Sequence, residues 1–562
     1  MAVKPLTPER VDAYADAPEK KLTLYVLMLG FIALAVGTLF GPFQSLNYGG
    51  IDVYKLLAPF IKSYYQGLSL HGVLNAIVFT QLFGQGVMLY LSAKSFGLRP
   101  NMTWGWVSFW MALVGLLIAA VPLLLNEATV LFTFYPPLMG HPAFYIGAAI
   151  FVLSSWVTGF LILEMFLRFR RENPGQITPL MGYMAVTWVL MWLLCSLGLV
   201  VEVAVFLIPW SLGLIAGVDP LLARTLFWFT GHPIVYFWLL PAYALVYATL
   251  PKIAGAKLVS DPLTRLVFLL FLLFSTPVGF HHQFADPGIA PYWKLIHSIL
   301  TMFVAVPSLI TAFTVAATLE QAGRARGGKG WFGWIPVLPW NNPAFFAMTL
   351  GMLAFIPGGA GGMVNASYTL NQGVHNTVWI VGHFHLPVAT TVTMIAMGAM
   401  FWLVPHLTGK ALISNRLAIA SQFLWFVGMF LMTFALHWMG FLWGIPRRSH
   451  FAGSEQMMAA YRGSEAWQVL NIISGVILFA AAIMFFYVIF ATALGAKRDR
   501  SSAPEVPFSE ATTNPANSGL ALLTDRVWFW FGIAVLLVVA AYGPVLFSMF
   551  TNINPVPGQR LW

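Results

Sequence analysis

Twelve histidines are spread over the 562-residue sequence, and six of them stand where imidazole can do chemistry. His71, His232, the adjacent His281 and His282, and the near neighbours His383 and His385 all lie within or at the ends of long apolar stretches. An ionisable group placed in lipid is expensive, and therefore a functional candidate. Neutral imidazole is the usual protein ligand for haem iron and copper. His383 and His385 are two residues apart, so on a helix they point about 200° from one another. They cannot share a metal, but they can present one ligand to each of two groups on opposite sides of one helix. His71 is then available as a second axial ligand to one of those groups. That gives a six-coordinate haem suited to electron transfer and leaves another haem with an open position suited to binding a gas. His232, His281 and His282 make a three-imidazole set, which suits copper and leaves a position for substrate. Tyr236 follows His232 by four residues, on the same helix face and within about 6 Å. A phenol there can supply a proton and an electron to a bound oxygen species.

The elements that must position these groups are membrane helices. Hydrophobic residues make up 59% of the chain and charged residues only 9%, whereas a soluble domain carries roughly 25% charged residues. Only helices or closed barrels satisfy the backbone inside lipid. Thirteen apolar stretches are long enough to cross at about 20 residues each: 22–45, 65–93, 103–126, 142–167, 180–210, 222–250, 264–282, 293–319, 343–366, 374–404, 417–442, 466–494 and 527–550. The expected fold is all-α, a polytopic membrane helical bundle of about 13 transmembrane helices. It forms a single catalytic domain over 1–562, with 1–21 as a cytoplasmic N-terminal segment and 496–525 as a cytoplasmic linker. The first stretch lacks a small-residue cleavage site and reads as a retained span.

With the N-terminus in the cytoplasm and the C-terminus outside, 21 of the 29 Lys and Arg residues fall on the cytoplasmic side, as the positive-inside rule requires. This bias also accounts for the net charge of +10, so no nucleic acid partner is inferred. On the same topology all six histidines, from four spans, share the outer half of the bilayer. Cys195 is the only cysteine. That excludes an internal disulfide, a zinc ribbon, an iron–sulfur cluster and a two-cysteine copper centre. The absence of C-x-x-C-H means that any haem is not covalently attached.

Gly231-His-Pro-Ile-Val-Tyr236, the pair His281-His282, and Gly382-His-Phe-His385 resemble the signature motifs of the haem–copper oxidases, subunit I, and the resemblance covers nearly the whole chain. It implies a low-spin haem held by His71 and His385, an oxygen-binding haem held by His383, and a copper, CuB, held by His232, His281 and His282. It also implies a covalent link between His232 and Tyr236. Ile234 stands where the mitochondrial-like members carry a glutamate, so their glutamate-ended proton route should be absent here. The sequence is similar to the B-type branch, whose best-known members are the ba-type cytochrome c oxidases of thermophilic bacteria and which uses one proton route to the active site. The resemblance therefore implies a b-type low-spin haem, an a-type high-spin haem, and a partner subunit II carrying a dicopper centre, with room for a small single-span subunit. It further implies cytochrome c as donor, dioxygen as acceptor, lipid around the bundle, and a place in the bacterial inner membrane. The expected activity is four-electron reduction of dioxygen to water coupled to proton translocation. The rivals are a nitric oxide reductase with iron in place of copper, which normally lacks the tyrosine beside the histidine, and a proton-coupled transporter without haem.

A candidate proton route runs along Tyr236, Tyr243 and Tyr247, one stripe of the sixth stretch at helical spacing. Ser308, Thr311 and Thr314 add hydroxyls in the eighth. Arg447 and Arg448 lie just beyond the eleventh; paired arginines clamp carboxylates, so haem propionates are expected partners. His375 and Asn376 open the tenth at a similar depth and could also reach propionates. Asn371 stands where B-type relatives often have aspartate, which bears on the proton exit path. Pro357-Gly-Gly-Ala-Gly-Gly362 could admit a flat cofactor or serve small-residue helix packing. His141, His297, His406, His437 and His450 read as structural or interfacial. Glu202, buried in the fifth stretch, needs a partner that the sequence does not name.

Overall fold

The computed structural model describes residues 17–58, 60–495 and 504–561. Among these, twelve helices are long and apolar enough to cross a membrane. They are α1 (Pro18–Tyr48), α2 (Tyr64–Phe96), α3 (Met102–Leu124), α4 (Pro142–Glu172), α5 (Leu180–Ser211), α6 (Pro220–Ala254), α8 (Pro291–Ala325), α9 (Pro343–Ala366), α10 (Val378–Thr408), α11 (Asn415–Leu442), α12 (Glu465–Gly495) and α13 (Val527–Thr551). Between α6 and α8 lies the shorter α7 (Asp261–Phe274). The described residues contain isolated bridges and no strands. α1 starts at Pro18, a residue pre-set for the first helical position. The end of the expected 1–21 segment is therefore already helical.

The seventh stretch differs from its expectation. Apolarity continues to residue 282, but the helix stops after 14 residues at Phe274. The hydroxyls of Ser275 and Thr276 bond back to the carbonyls of Phe271 and Leu272. Pro277 then lacks an N–H and disfavours a helical residue before it. Gly279 passes so close to the Trp228 carbonyl that a Cβ would collide with it. The chain resumes as a single 3₁₀ turn, Phe280–Gln283.

Contacts among the connections divide into two sets, one at each end of the bundle. At one end Arg265, 1% exposed, pairs with Asp261 at 2.6 Å and Asp525 at 3.5 Å, and Arg170 also reaches Asp525. At that end too, Glu19 pairs with Arg99 and His406 bonds the Pro504 carbonyl. At the other end Arg224 pairs with Asp286, and the C-terminal tail docks by Val556 on Val218 and by Gln559 on Met139. Asp219 joins both features there: Oδ1 accepts from Leu221 and Leu222 N–H, capping α6, while Oδ2 accepts from Asn554 N–H at 2.8 Å. The chain from α7 to Asp286 therefore runs from one end to the other, with the non-helical segment after Phe274 completing the crossing. The most exposed helices are α13 and α8, whose apolar stretches are only 28% and 33% buried. α6 and α10, which carry His232, Tyr236, Tyr243, Tyr247, His383 and His385, are 83% buried and form the centre.

Three of the long helices loosen into π-turns: Val73–Phe79 in α2, Glu202–Leu207 in α5 and His385–Val392 in α10. Two of these begin at or just after a candidate haem ligand, the setting in which π-bulges recur.

Candidate metal centre

His71 on α2 faces His385 on α10 with ring planes 18° apart and centroids 6.4 Å apart. Nδ1 of His71 lies 2.9 Å from the Gly37 carbonyl, and Nδ1 of His385 lies 2.7 Å from the Val381 carbonyl. A proton on Nδ1 donated to a carbonyl leaves the Nε2 lone pair free for a metal. A metal–imidazole bond is about 2 Å, and a ring nitrogen lies about 1 Å from its ring centre, so one bridging metal separates two centroids by about 6 Å. The observed spacing fits a six-coordinate haem between the rings.

His383 closes the helical turn before the π segment. Its ring stacks at 6.0 Å on Trp379 and faces away from that pair towards α9, where a Cβ at Gly361 would come within 2.7 Å of its Nδ1. The glycines of the 357–362 segment thus serve two purposes. Gly361 clears the His383 ring, and Gly358 lets α9 approach Pro387.

His232, His281 and His282 offer ligand atoms that all lie within 4.8 Å of one another. His282 Nε2 and His232 Nδ1 are 3.4 Å apart, and His232 Nε2 is buried without a hydrogen-bond partner among the described residues. Three nitrogens each about 2 Å from one ion sit roughly 3–4 Å apart, so the set needs little movement to hold copper. His281 and His282 do not close a helix as the sequence suggested; they ride on the 3₁₀ turn beyond α7. Their supports come from side chains. Thr301 of α8 donates its hydroxyl proton to the His297 carbonyl at 2.5 Å, and its oxygen lies 3.0 Å from Nδ1 of His281. Trp228 stacks on His282 at 3.8 Å and 8°. Gln283 bonds Thr225 and Asp286. Tyr236 stands beside His232 with ring centroids 4.8 Å apart.

At the end of the bundle that holds Arg224, the Arg447 N–H donates to the Asn376 carbonyl, and its guanidinium bonds Asn376 Oδ1 at 3.2 Å. Asn376 and Arg448 both hold left-handed backbone, with φ of 61° and 58°, a conformation that persists only where surroundings enforce it. The Arg448 guanidinium lies over Phe132 and Tyr135, and that of Arg224 lies over the same Tyr135. Among the described residues no carboxylate pairs with Arg447 or Arg448, and Arg447 Nε is buried without a partner. Burial and then the adjacent Arg448 draw Arg447 down to about 9. Two neighbouring half-buried cations without an anion fit carboxylate guests such as propionates. His375, 2.8 Å from Asn371 Oδ1 through its Nδ1, is drawn down to about 4 by burial and then by Arg447.

Of the expected proton route, Tyr247 donates to Thr311 Oγ1 at 2.9 Å, and Ser308 lies next to Tyr243. The hydroxyls of Ser308, Thr311 and Thr314 donate to their own helix at Val304, Pro307 and Ile310. Glu202 has no hydrogen-bond partner for either oxygen among the described residues. His406 bonds Tyr90, His437 bonds the Thr433 carbonyl, His450 pairs with Asp52, and His141 caps α4. His297 stacks on Phe280 inside the metal-site turn. Sequence reading missed Trp228 and Thr301. Trp228 precedes His232 by four residues, a same-face spacing that could have found it. Thr301 gives no local signal, because its contact joins α8 to a turn that is not helical.

A closed two-imidazole pair and an open three-imidazole set, inside one membrane helical bundle, are the arrangement expected of the haem–copper oxidase class. The comparisons agree. Residues 21–480 match the family model for cytochrome c and quinol oxidase polypeptide I. The chain is 60% identical to cytochrome c oxidase subunit 1 of Thermus thermophilus over 100% of both chains. It is 26% identical to a probable quinol oxidase subunit 1 of Staphylococcus haemolyticus over 78% of this chain and 66% of that one. A cryo-electron-microscopy structure of a haem–copper terminal oxidase dimer superposes with a TM-score of 0.92 at 36% identity, covering 97% of this chain and 96% of the other. The chain belongs to the cytochrome c and quinol oxidase polypeptide I family and is a terminal oxidase subunit I. That family implies haems and CuB.

Proposed function

We propose that this chain is the catalytic subunit of a B-type cytochrome c oxidase, with His71 and His385 on a b-type haem, His383 on an a-type haem, and His232, His281 and His282 on CuB. The observation that carries this is the pair of imidazole geometries, one closed by two facing rings and one left open. When bound, the haem irons and copper carry electrons and bind dioxygen. The chain's own groups do the rest. The carbonyls of Gly37 and Val381 fix the tautomers of His71 and His385, so both Nε2 atoms serve as ligands. α10 presents His383 and His385 to opposite sides, which puts the two haem sites one helix apart. Tyr236, against His232, gives up a phenolic proton and an electron at the oxygen-binding side. Tyr247 and Thr311, with Tyr243 and Ser308, and with Thr314 one turn further on, bring protons from the other end of the bundle. Arg447 and Arg448, with His375 and Asn376, hold propionates at the rim.

The Lys and Arg bias supports a bacterial inner-membrane orientation with the N-terminus cytoplasmic and the C-terminus outside. One cysteine cannot build a dicopper centre, so electrons from cytochrome c arrive through a partner subunit II, with a small single-span subunit completing the complex. The test is a reduced-minus-oxidised spectrum with carbon monoxide, combined with metal analysis. Two irons and one copper in this chain, or two irons and three coppers where subunit II with its dicopper centre co-purifies, with one haem binding carbon monoxide, is the expected result. Three irons and no copper would instead indicate a nitric oxide reductase, and no haem absorbance a transporter.

A further inference from the structure

The connection between α8 and α9, residues 326–342, carries aromatic groups that no part of the proposed chemistry uses. Trp331 is 89% exposed and Phe332 73%. They are not the ends of a loose loop. The Trp334 indole N–H donates to the Trp331 carbonyl and that of Trp340 to the Ile335 carbonyl. Ile335 N–H returns to Phe332 and Leu338 N–H to Ile335. The segment satisfies much of its own backbone and projects one aromatic pair from a built turn.

Its surroundings point to what covers that pair. α8 and α9 both present bare apolar side chains along their length, Leu309 and Phe313 on one, Leu353 and Ile356 on the other. The turn therefore sits on the lipid-facing perimeter at the end of two lipid-facing helices. Three cations flank the aromatics. Arg324 is matched by Glu320, and Arg326 bonds the Ala322 carbonyl. Lys329 is exposed, and among the described residues no carboxylate pairs with it. Tryptophan beside lysine and arginine is the composition that a bilayer's headgroup layer accommodates. Anionic lipids draw such cations when they are held near the surface.

We propose that residues 326–342 form an in-plane foot: Trp331 and Phe332 insert into the interfacial layer of the cytoplasmic leaflet, and Lys329 with Arg326 binds the headgroup of an anionic phospholipid. The choice of leaflet rests on the orientation proposed above; the insertion does not.

The test uses the intact oxidase in vesicles of phosphatidylcholine and phosphatidylglycerol. Phe332→Cys carries an environment-sensitive fluorophore; Cys195 is buried, so this chain offers one reactive thiol. An unchanged haem spectrum certifies the labelled protein. Strong quenching by lipids brominated near the headgroup, with weak quenching by aqueous iodide, is expected. Strong iodide quenching overturns the proposal in favour of a solvated loop. Protection from both quenchers overturns it in favour of a covering protein subunit. In the unlabelled protein, Lys329→Gln with Arg326→Gln should lower phosphatidylglycerol retained over phosphatidylcholine by about fivefold or more; unchanged selectivity overturns the headgroup site. Orientation is read separately, by accessibility of the C-terminal tail to protease outside sealed vesicles, so either result can fail alone.

Discussion

The two imidazole regions are built on different principles. The His71–His385 pair is held by backbone: each ring is tied through Nδ1 to a carbonyl, at Gly37 and Val381. Its planes are nearly parallel and each faces the other. The His232–His281–His282 set is held by side chains, with Thr301, Trp228 and Gln283 bracing a turn between helices. Its rings are tilted, at 83° between His232 and His281. A carbonyl fixed in a helix offers one geometry and closes a site. Side-chain braces leave an unsaturated side on which a substrate can sit. In the proposed function, the difference separates the region that would pass electrons from the region that would change bonds.

The contrast is broken most completely by removing a ligand from each region in turn. His282→Ala should remove the CuB copper and reduce oxygen consumption to background while both haem spectra persist. His385→Ala should do the reverse, deleting the low-spin haem absorbance and sparing copper. Loss of both metals in either variant would mean that the regions are not independent. Tyr236→Phe comes next. With metals retained, turnover should drop by about 10²-fold or more, the usual weight of a positioned proton donor; near-normal turnover would remove the phenol from the chemistry. The smallest effect is expected at Thr301. Thr301→Val should weaken copper retention by about 10-fold, the lower end of the range for an outer-shell partner, and Thr301→Ser should restore it. Equal copper retention in all three would show that the turn is held by Trp228 and Gln283 alone.

Much of this was legible in the sequence, for identifiable reasons. Spans read clearly because lipid demands long apolar runs. The opposed directions of His383 and His385 follow from helical spacing alone. The end of α7 was misjudged because hydropathy continues through Pro277 and Gly279, while the backbone does not. The π-turns after His71 and at His385 have no residue signature. The Thr301–His281 and Arg447–Asn376 contacts join elements far apart in sequence, which only packing brings together. Glu202 was recognised as needing a partner, and the protein side chains described supply none.

Asp219 has a bearing on how the molecule is completed. One of its oxygens anchors the first turn of α6, which carries His232 and Tyr236, and the other grips Asn554, close to the end of the chain. A ribosome releases Asn554 only after α1 to α13 have been made, so the start of the central helix receives this tether after its neighbours are in place. A chain ending after α13 would keep all its ligands and lose that tether, about 0.5–1.5 kcal/mol for one hydrogen bond.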